Sequence, residues 1–186
     1  RHLNEVSEGD LRRIPRKPLG SDEPAEVIIA LRVAYNSLHE LIRKEKFDAP
    51  FLQRYSNSGQ LVCLDTGPEE GLFLYDPDSE QINLDLPHNK YVWDEKTNSA
   101  RPCFEAGVSP ALKGEYIMGS GPHAGKKVAP AFELLRRQVA DTTPEWAASI
   151  TGISAERIRQ LANEMAHAAF EQAFELPIQW TDVWGI

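Results

Sequence analysis

The chain has 186 residues, 41% of them hydrophobic, and carries 20 Lys and Arg against 28 Asp and Glu, a net charge of −8. That length supports one domain with a real core. No run of about 18 apolar residues occurs, so no direct membrane insertion is expected, and so acidic a chain repels a nucleic-acid duplex at long range.

Residues 1–21 are polar, with Arg12, Arg13, Arg16 and Lys17 interrupted by Pro15 and Pro18. They read as an extended basic arm. Residues 22–57 are expected to be helical. In a helix over 23–46, Ile28, Leu31, Tyr35, Leu38 and Ile42 step by three and four into one apolar face. Arg32, Asn36, His39, Glu40 and Arg43 fall largely elsewhere, which predicts His39 at the surface. Ser21 or Asp22 can cap this helix, and Pro24 suits its first turn. A short helix over 49–55 opens at Asp48-Ala49-Pro50 and ends at Ser56-Asn57-Ser58-Gly59.

Residues 60–128 change character. Leu61-Val62-Cys63-Leu64 and Leu72-Phe73-Leu74-Tyr75 are apolar runs separated by Gly67, Pro68 and Gly71, which predicts a β-hairpin. Glu115-Tyr116-Ile117-Met118 and Lys126-Lys127-Val128 flank a glycine-rich loop, a second hairpin. Tyr91-Val92-Trp93 reads as one short strand. Asp65 to Glu105 is strongly acidic, with only Lys90, Lys96 and Arg101 in opposition, and is expected to be a solvated loop. It is no calcium loop: counted from Asp76, Gln81 stands where the glycine is needed and Pro87 where the glutamate is. Gly119-Ser120-Gly121-Pro122-His123-Ala124-Gly125 lacks the Lys-Ser/Thr ending of a phosphate loop. Cys63 and Cys103 form no Cys-x-x-Cys pair and are expected to be buried free thiols.

Residues 129–169 predict three helices, at 130–140, 144–151 and 154–168. The last two make a tight corner. Thr143 is the N-cap of the first, with Pro144 at its first position. Gly152 can take the left-handed cap conformation. Ser154 caps the second, with Glu156 in its first turn. Ile158, Leu161, Met165 and Ala169 make its apolar face, over which Trp146 and Ile150 can close. Residues 176–186 read as a strand, Leu176 to Trp180, that leads out of the segment. The fold class expected is mixed α/β, predominantly helical with two β-hairpins, a fragment of a larger α/β domain; 1–186 is taken as a single partial domain. The chain starts at Arg1 without Met and stops at Ile186 after Trp184-Gly185, and is expected to be a piece of a longer polypeptide.

Two kinds of protein use such a corner. One is a helix-turn-helix DNA reader centred on 143–169. Arg157 and Arg159 are balanced there by Glu156 and Glu164, whereas a DNA reader needs surplus cations; the two arginines are expected to form a wet helix face. A non-catalytic helical interaction domain is a further alternative. The other kind is carried by wording: Thr143-Pro144-Glu145-Trp146-Ala147-Ala148-Ser149-Ile150-Thr151-Gly152-Ile153-Ser154, with Lys46-Phe47-Asp48-Ala49-Pro50-Phe51-Leu52-Gln53-Arg54-Tyr55-Ser56-Asn57 and Val128-Ala129-Pro130-Ala131-Phe132-Glu133-Leu134-Leu135 in the same order. This text resembles catalytic subunits of molybdopterin oxidoreductases of the dimethyl sulfoxide reductase family. The nearest wording is that of sulfite dehydrogenase-like and thiosulfate or polysulfide reductase-like subunits, with formate dehydrogenases more distant. The likeness runs over roughly 14–185.

The resemblance implies an oxidoreductase whose cofactor is a molybdenum or tungsten ion held by two pterin guanine dinucleotides, acting on a small inorganic sulfur compound or a similar substrate. It implies iron–sulfur electron transfer through centres outside this segment. As partners it implies an iron–sulfur subunit, a membrane anchor subunit, and the rest of the catalytic subunit, with no nucleic acid. The implied location is cytoplasmic and peripheral to the membrane, or alternatively periplasmic. Gly20-Ser21-Asp22 stands where the family places a nucleotide-binding phrase before the long helix. A carboxylate there can accept two N–H bonds from a guanine edge, although helix capping alone is the alternative role. Asp182 falls where the family chain approaches the cofactor. The family's metal ligand, catalytic residues and cluster cysteines have no counterpart here, so no catalytic and no metal-binding residue is assigned and the segment alone is expected to be inactive.

Overall fold

A computed structural model describes residues 23–76 and 90–173; of 23–31 only the backbone is described. Those residues fall into two compact units, 47–141 and, from the two flanking stretches, 23–46 with 142–173. The architecture is mixed α/β, five helices with small antiparallel sheets, as the sequence predicts.

In the helical unit, α1 runs Glu23–Arg43, α4 Pro144–Thr151 and α5 Ala155–Phe170. The predicted caps of α4 and α5 are in place. Thr143 accepts from the Trp146 amide, and Ser154 from that of Arg157. Gly152 adopts φ 75°, a value that strains any residue with a Cβ, and its N–H returns to the Ala148 carbonyl. The α1 helix stops three residues short of the predicted end. Glu45 takes the left-handed position (φ 54°), donating to the Ile42 carbonyl while Lys46 donates to that of Leu41, a closed C-terminal turn made without glycine.

Two predicted faces are corrected. On α1, among the described side chains, the polar Arg32, Asn36, Ser37, His39 and Glu40 are buried together with Ile42 of the predicted apolar face, while Tyr35 and Leu38 are partly buried, so His39 is no surface residue. On α5 the buried positions are Ile158, Ala162 and Ala166, whereas Leu161 and Met165 are exposed. The reason is shape. Alanines at the buried positions let α1 approach closely.

In the β-rich unit, α2 (Ala49–Tyr55) is capped by Asp48, whose carboxylate accepts from the Phe51 amide at 2.9 Å. Strands β1 (Leu61–Cys63), β4 (Tyr116–Ile117) and β5 (Lys127–Pro130) form an antiparallel sheet in the order β1-β5-β4. Val62 faces Ala129, and Tyr116 faces Val128. The second predicted hairpin is β4–β5. The first exists as a short ladder about Val62 and Phe73, with Leu74 N–H on the Leu61 carbonyl and Cys63 N–H on that of Leu72, each at 3.0 Å. A further hairpin joins β2 (Tyr91–Asp94) to β3 (Ser99–Pro102), where the sequence predicts only one strand.

Leu61, Cys63, Leu74, Trp93, Ala111, Met118 and Val128 form the core of this unit. Each large aliphatic side chain buried in it is worth roughly 1.5–3 kcal/mol. Trp93 stacks on Tyr116, centroids 4.3 Å apart and nearly parallel. Helix α3 (Ala131–Ala140) leaves β5 directly, and carbonyls of Ser58 and Gln60 accept its first amides. Phe132 packs on Phe47 at 4.9 Å. Cys63 and Cys103 are free, the first buried and the second only partly so.

Candidate functional site

The cofactor-binding residues expected from the sequence, Gly20, Ser21, Asp22 and Asp182, lie outside the described residues, as do the closing strand and the basic arm. Helix α1 begins at Glu23, the residue after Asp22. What the structure describes is the set of helices that follows that phrase.

Charged side chains join these three helices. The buried Glu40 carboxylate on α1 receives Arg43 at 3.1 Å and Lys44 at 3.4 Å, with Arg159 of α5 at 3.9 Å. Burial pushes this carboxyl up. The hydrogen bonds and charges of Arg43 and Lys44 outweigh that and hold it below the usual carboxylate range. Arg159 also pairs with Glu145 at the start of α4, and that bond lowers the Glu145 carboxyl in turn. The chain Glu145–Arg159–Glu40 therefore ties α4, α5 and α1 together. Higher on α1, the Arg32 guanidinium lies 4.9 Å from the Trp146 ring centre. The Asn36 amide donates to the Arg32 carbonyl at 2.7 Å.

Of the two arginines expected on a wet face, only Arg157 is exposed, and it donates to Gln160. Arg159 is half-buried in the ion network. Sequence reasoning missed that network because Glu40, Glu145 and Arg159 are far apart in the chain and each looks like an ordinary surface residue. The hint available was the regular polar stripe Arg32, Asn36, Glu40 at four-residue steps.

The β-rich unit has two buried carboxylates. Asp94, expected in a solvated acidic loop, is fully buried. It accepts from the Ser109 amide at 2.9 Å, the Thr97 hydroxyl at 2.8 Å and the Lys96 amide, with Arg101 at 3.5 Å, and these bonds hold it far below its ordinary range. It closes the β2–β3 turn and fastens residue 109 to it. Glu133 on α3 accepts from Arg136 and Arg137, each at 2.7 Å, and from the Gly114 amide. Burial works against ionisation, but the two arginines prevail and hold the carboxyl at about 2. Each carboxylate is satisfied by structural partners, an arrangement that holds the fold.

Among the described residues no group of three or more His, Cys, Asp or Glu side chains could hold a metal ion, and no helix is long and apolar enough to cross a membrane. The described residues therefore do not fit the role of metal ligands, and no chemical step through a metal is derived from them.

No family model matches the chain. It is 40% identical over 146 residues to a sulfite dehydrogenase subunit of Allochromatium vinosum, an alignment covering 78% of this chain and 15% of that protein. It is 26% identical over 161 residues to the alpha subunit of the perchlorate reductase of Dechloromonas aromatica, covering 73% of this chain and 17% of that one. The chain thus spans about a sixth of the length of these relatives. Both relatives are named as parts of a larger enzyme, and over these residues the chain is a segment homologous to molybdopterin oxidoreductase catalytic subunits of the dimethyl sulfoxide reductase family.

Proposed function

We propose that this chain is part of a catalytic subunit that oxidises or reduces a small inorganic sulfur compound at a molybdenum ion held by two pterin guanine dinucleotides. The observation that carries the reading is the 40% identity over 146 residues to a sulfite dehydrogenase subunit. In this reading the metal ligand and the iron–sulfur centres lie elsewhere in the polypeptide. The segment's part is to hold a nucleotide end of the cofactor. Asp22 would accept the N–H edge of a guanine, with Gly20 and Ser21 beside it, and Asp182 would make a second approach to the cofactor. Electrons leave through an iron–sulfur subunit. A membrane anchor subunit keeps the assembly peripheral to the membrane on its cytoplasmic side; a periplasmic location is the alternative.

The helix-turn-helix alternative draws no support from the geometry. A DNA reader needs cations free to displace counterions, and Arg159 is committed to Glu145 and Glu40.

The test uses the polypeptide that contains this segment, produced in a host able to make the molybdenum cofactor. Stoichiometric molybdenum and sulfite-dependent reduction of a dye are expected, with Asp22→Ala lowering the bound guanine nucleotide and the molybdenum together. The 186-residue chain alone should carry neither. Molybdenum bound stoichiometrically by the 186-residue chain would overturn the placement of the metal site. A full-length protein free of molybdenum would overturn the whole reading.

A further inference from the structure

Between the C-terminal turns of α1 and α5 lies a cavity of about 160 Å³, lined by Glu40, Lys44, Lys46, Asn163, His167 and Glu171. It exists because α5 turns Ala162 and Ala166 toward α1 at this level rather than long side chains. At ~30 Å³ per water its volume is that of about five waters, enough for a tetrahedral oxyanion with part of its hydration.

Its polar groups are unevenly committed. The Glu40 carboxylate, 2% exposed, is already shared among Arg43, Lys44 and Arg159. Lys44 Nζ also donates to Asn163 Oδ1 at 2.8 Å, which fixes that amide's oxygen on the lysine and leaves its NH2 group as a donor. Lys46 makes no ion pair among the described residues. His167 Nδ1 stands 2.8 Å from Glu171 Oε2. A carboxylate only accepts, so Nδ1 carries the hydrogen, and Nε2 becomes a donor when the ring takes its second proton. Glu171 is occupied by that bond. The charged groups that line the cavity with His167 are Glu40 on α1, Lys44 and Lys46 just beyond it, and Glu171 at the end of α5.

We propose that this cavity binds a small tetrahedral oxyanion, of the sulfate or phosphate type, through Lys44, Lys46, the Asn163 amide and the protonated His167 ring. Lysine serves as a point charge for such anions, and the covered floor lowers the dielectric around the bound charge. The site belongs to the helical unit.

The experiment is isothermal titration of the 186-residue chain with sodium sulfate and, separately, sodium phosphate, ionic strength being held constant with sodium chloride. Saturable one-to-one binding is expected. The sulfate titration is repeated at about pH 6 and about pH 8 and should be tighter at the lower pH. Lys46→Gln should weaken binding about tenfold, the loss of one charge-assisted bond, and Asn163→Leu, which fills the cavity from its wall, should abolish it. His167→Gln should remove the pH dependence. Far-UV circular dichroism checks that each variant is folded. Absence of saturable heat with either anion, or binding by folded Lys46→Gln and Asn163→Leu at wild-type strength, would overturn the proposal. Unchanged pH dependence in His167→Gln would remove the histidine from it.

Discussion

The β-rich unit surrounds an apolar centre, Leu61, Leu74, Trp93 and Val128, and uses its buried carboxylates at the margins, Asp94 to close a turn and Glu133 to fasten a helix start. The helical unit is arranged the other way. Arg32, Asn36, His39 and Glu40 are buried on α1, whereas Leu161, Met165 and Phe170 on α5 are exposed. In the β-rich unit apolar burial supplies stability and charge sets local geometry. In the helical unit, charge and cation–π contacts join the faces, and the buried apolar surface beneath them is divided between Ile42, Ile150 and Ile158 and the small Ala147, Ala162 and Ala166.

The strongest way to break this contrast is to remove apolar volume from the β-rich unit. Leu61 is fully buried at the middle of its core. Leu61→Ala should cost about 3 kcal/mol through lost transfer energy and the cavity left behind. Urea unfolding followed by Trp93 fluorescence reads it. A loss below about 1 kcal/mol would mean that this core collapses around the gap and is not the stabilising centre.

A smaller effect comes from the margin. Glu133→Gln keeps one acceptor but removes the charge shared with Arg136 and Arg137, and should cost about 2 kcal/mol at neutral pH. The sign with pH is definite. The carboxyl sits at about 2 in the folded chain against an ordinary 4.5, so the unfolded chain takes up the proton first. The stabilisation is complete above about 4.5 and is lost as pH falls toward 2. Unfolding curves across that window should show the wild type losing stability faster than Glu133→Gln, and parallel curves would refute the assignment.

The smallest effect sharpens the contrast from the other side. Leu161→Ser with Met165→Ser alters large side chains that the helical unit leaves exposed, 38% and 47%. The double variant should move stability by no more than about 0.5 kcal/mol. A loss well above that in the 186-residue chain would mean the stripe is covered in solution.

Much of the fold was legible because capping is local. Asp48, Thr143, Gly152 and Ser154 announce their roles within three or four residues, and the helix limits follow from them. The faces were less legible. Hydrophobic periodicity favours large side chains, so Leu161 and Met165 outweighed Ala162 and Ala166, although close helix packing selects the small ones. The same bias set aside Arg32 and Glu40, whose partners on the other helices, Trp146 and Arg159, are distant in sequence. Strand β3, Ser99-Ala100-Arg101-Pro102, has no apolar run to betray it; its place is set by pairing with Tyr91–Asp94 and by the Asp94 carboxylate. The family was legible from wording, and the relatives bear it out. The cofactor contacts at Gly20, Ser21, Asp22 and Asp182 lie outside the described residues and stay with the resemblance that suggested them.

The helical unit is built from two stretches with residues 47–141 between them, and this sets an order of events during synthesis. The β-rich unit is continuous and can close as soon as its last residue is free of the ribosome. Helix α1 is made first, yet must wait for α4 and α5, on the order of ten seconds at ~5–20 residues per second. An amphipathic helix with a strongly apolar docking face would spend that interval exposed to aggregation. Among the described side chains, those of α1 buried in this unit are Arg32, Asn36, Ser37, His39 and Glu40 beside Ile42, and water solvates the polar ones well. A polar docking face lets the nascent helix wait safely, and pairing with Glu145, Arg159 and Trp146 then supplies what water had supplied.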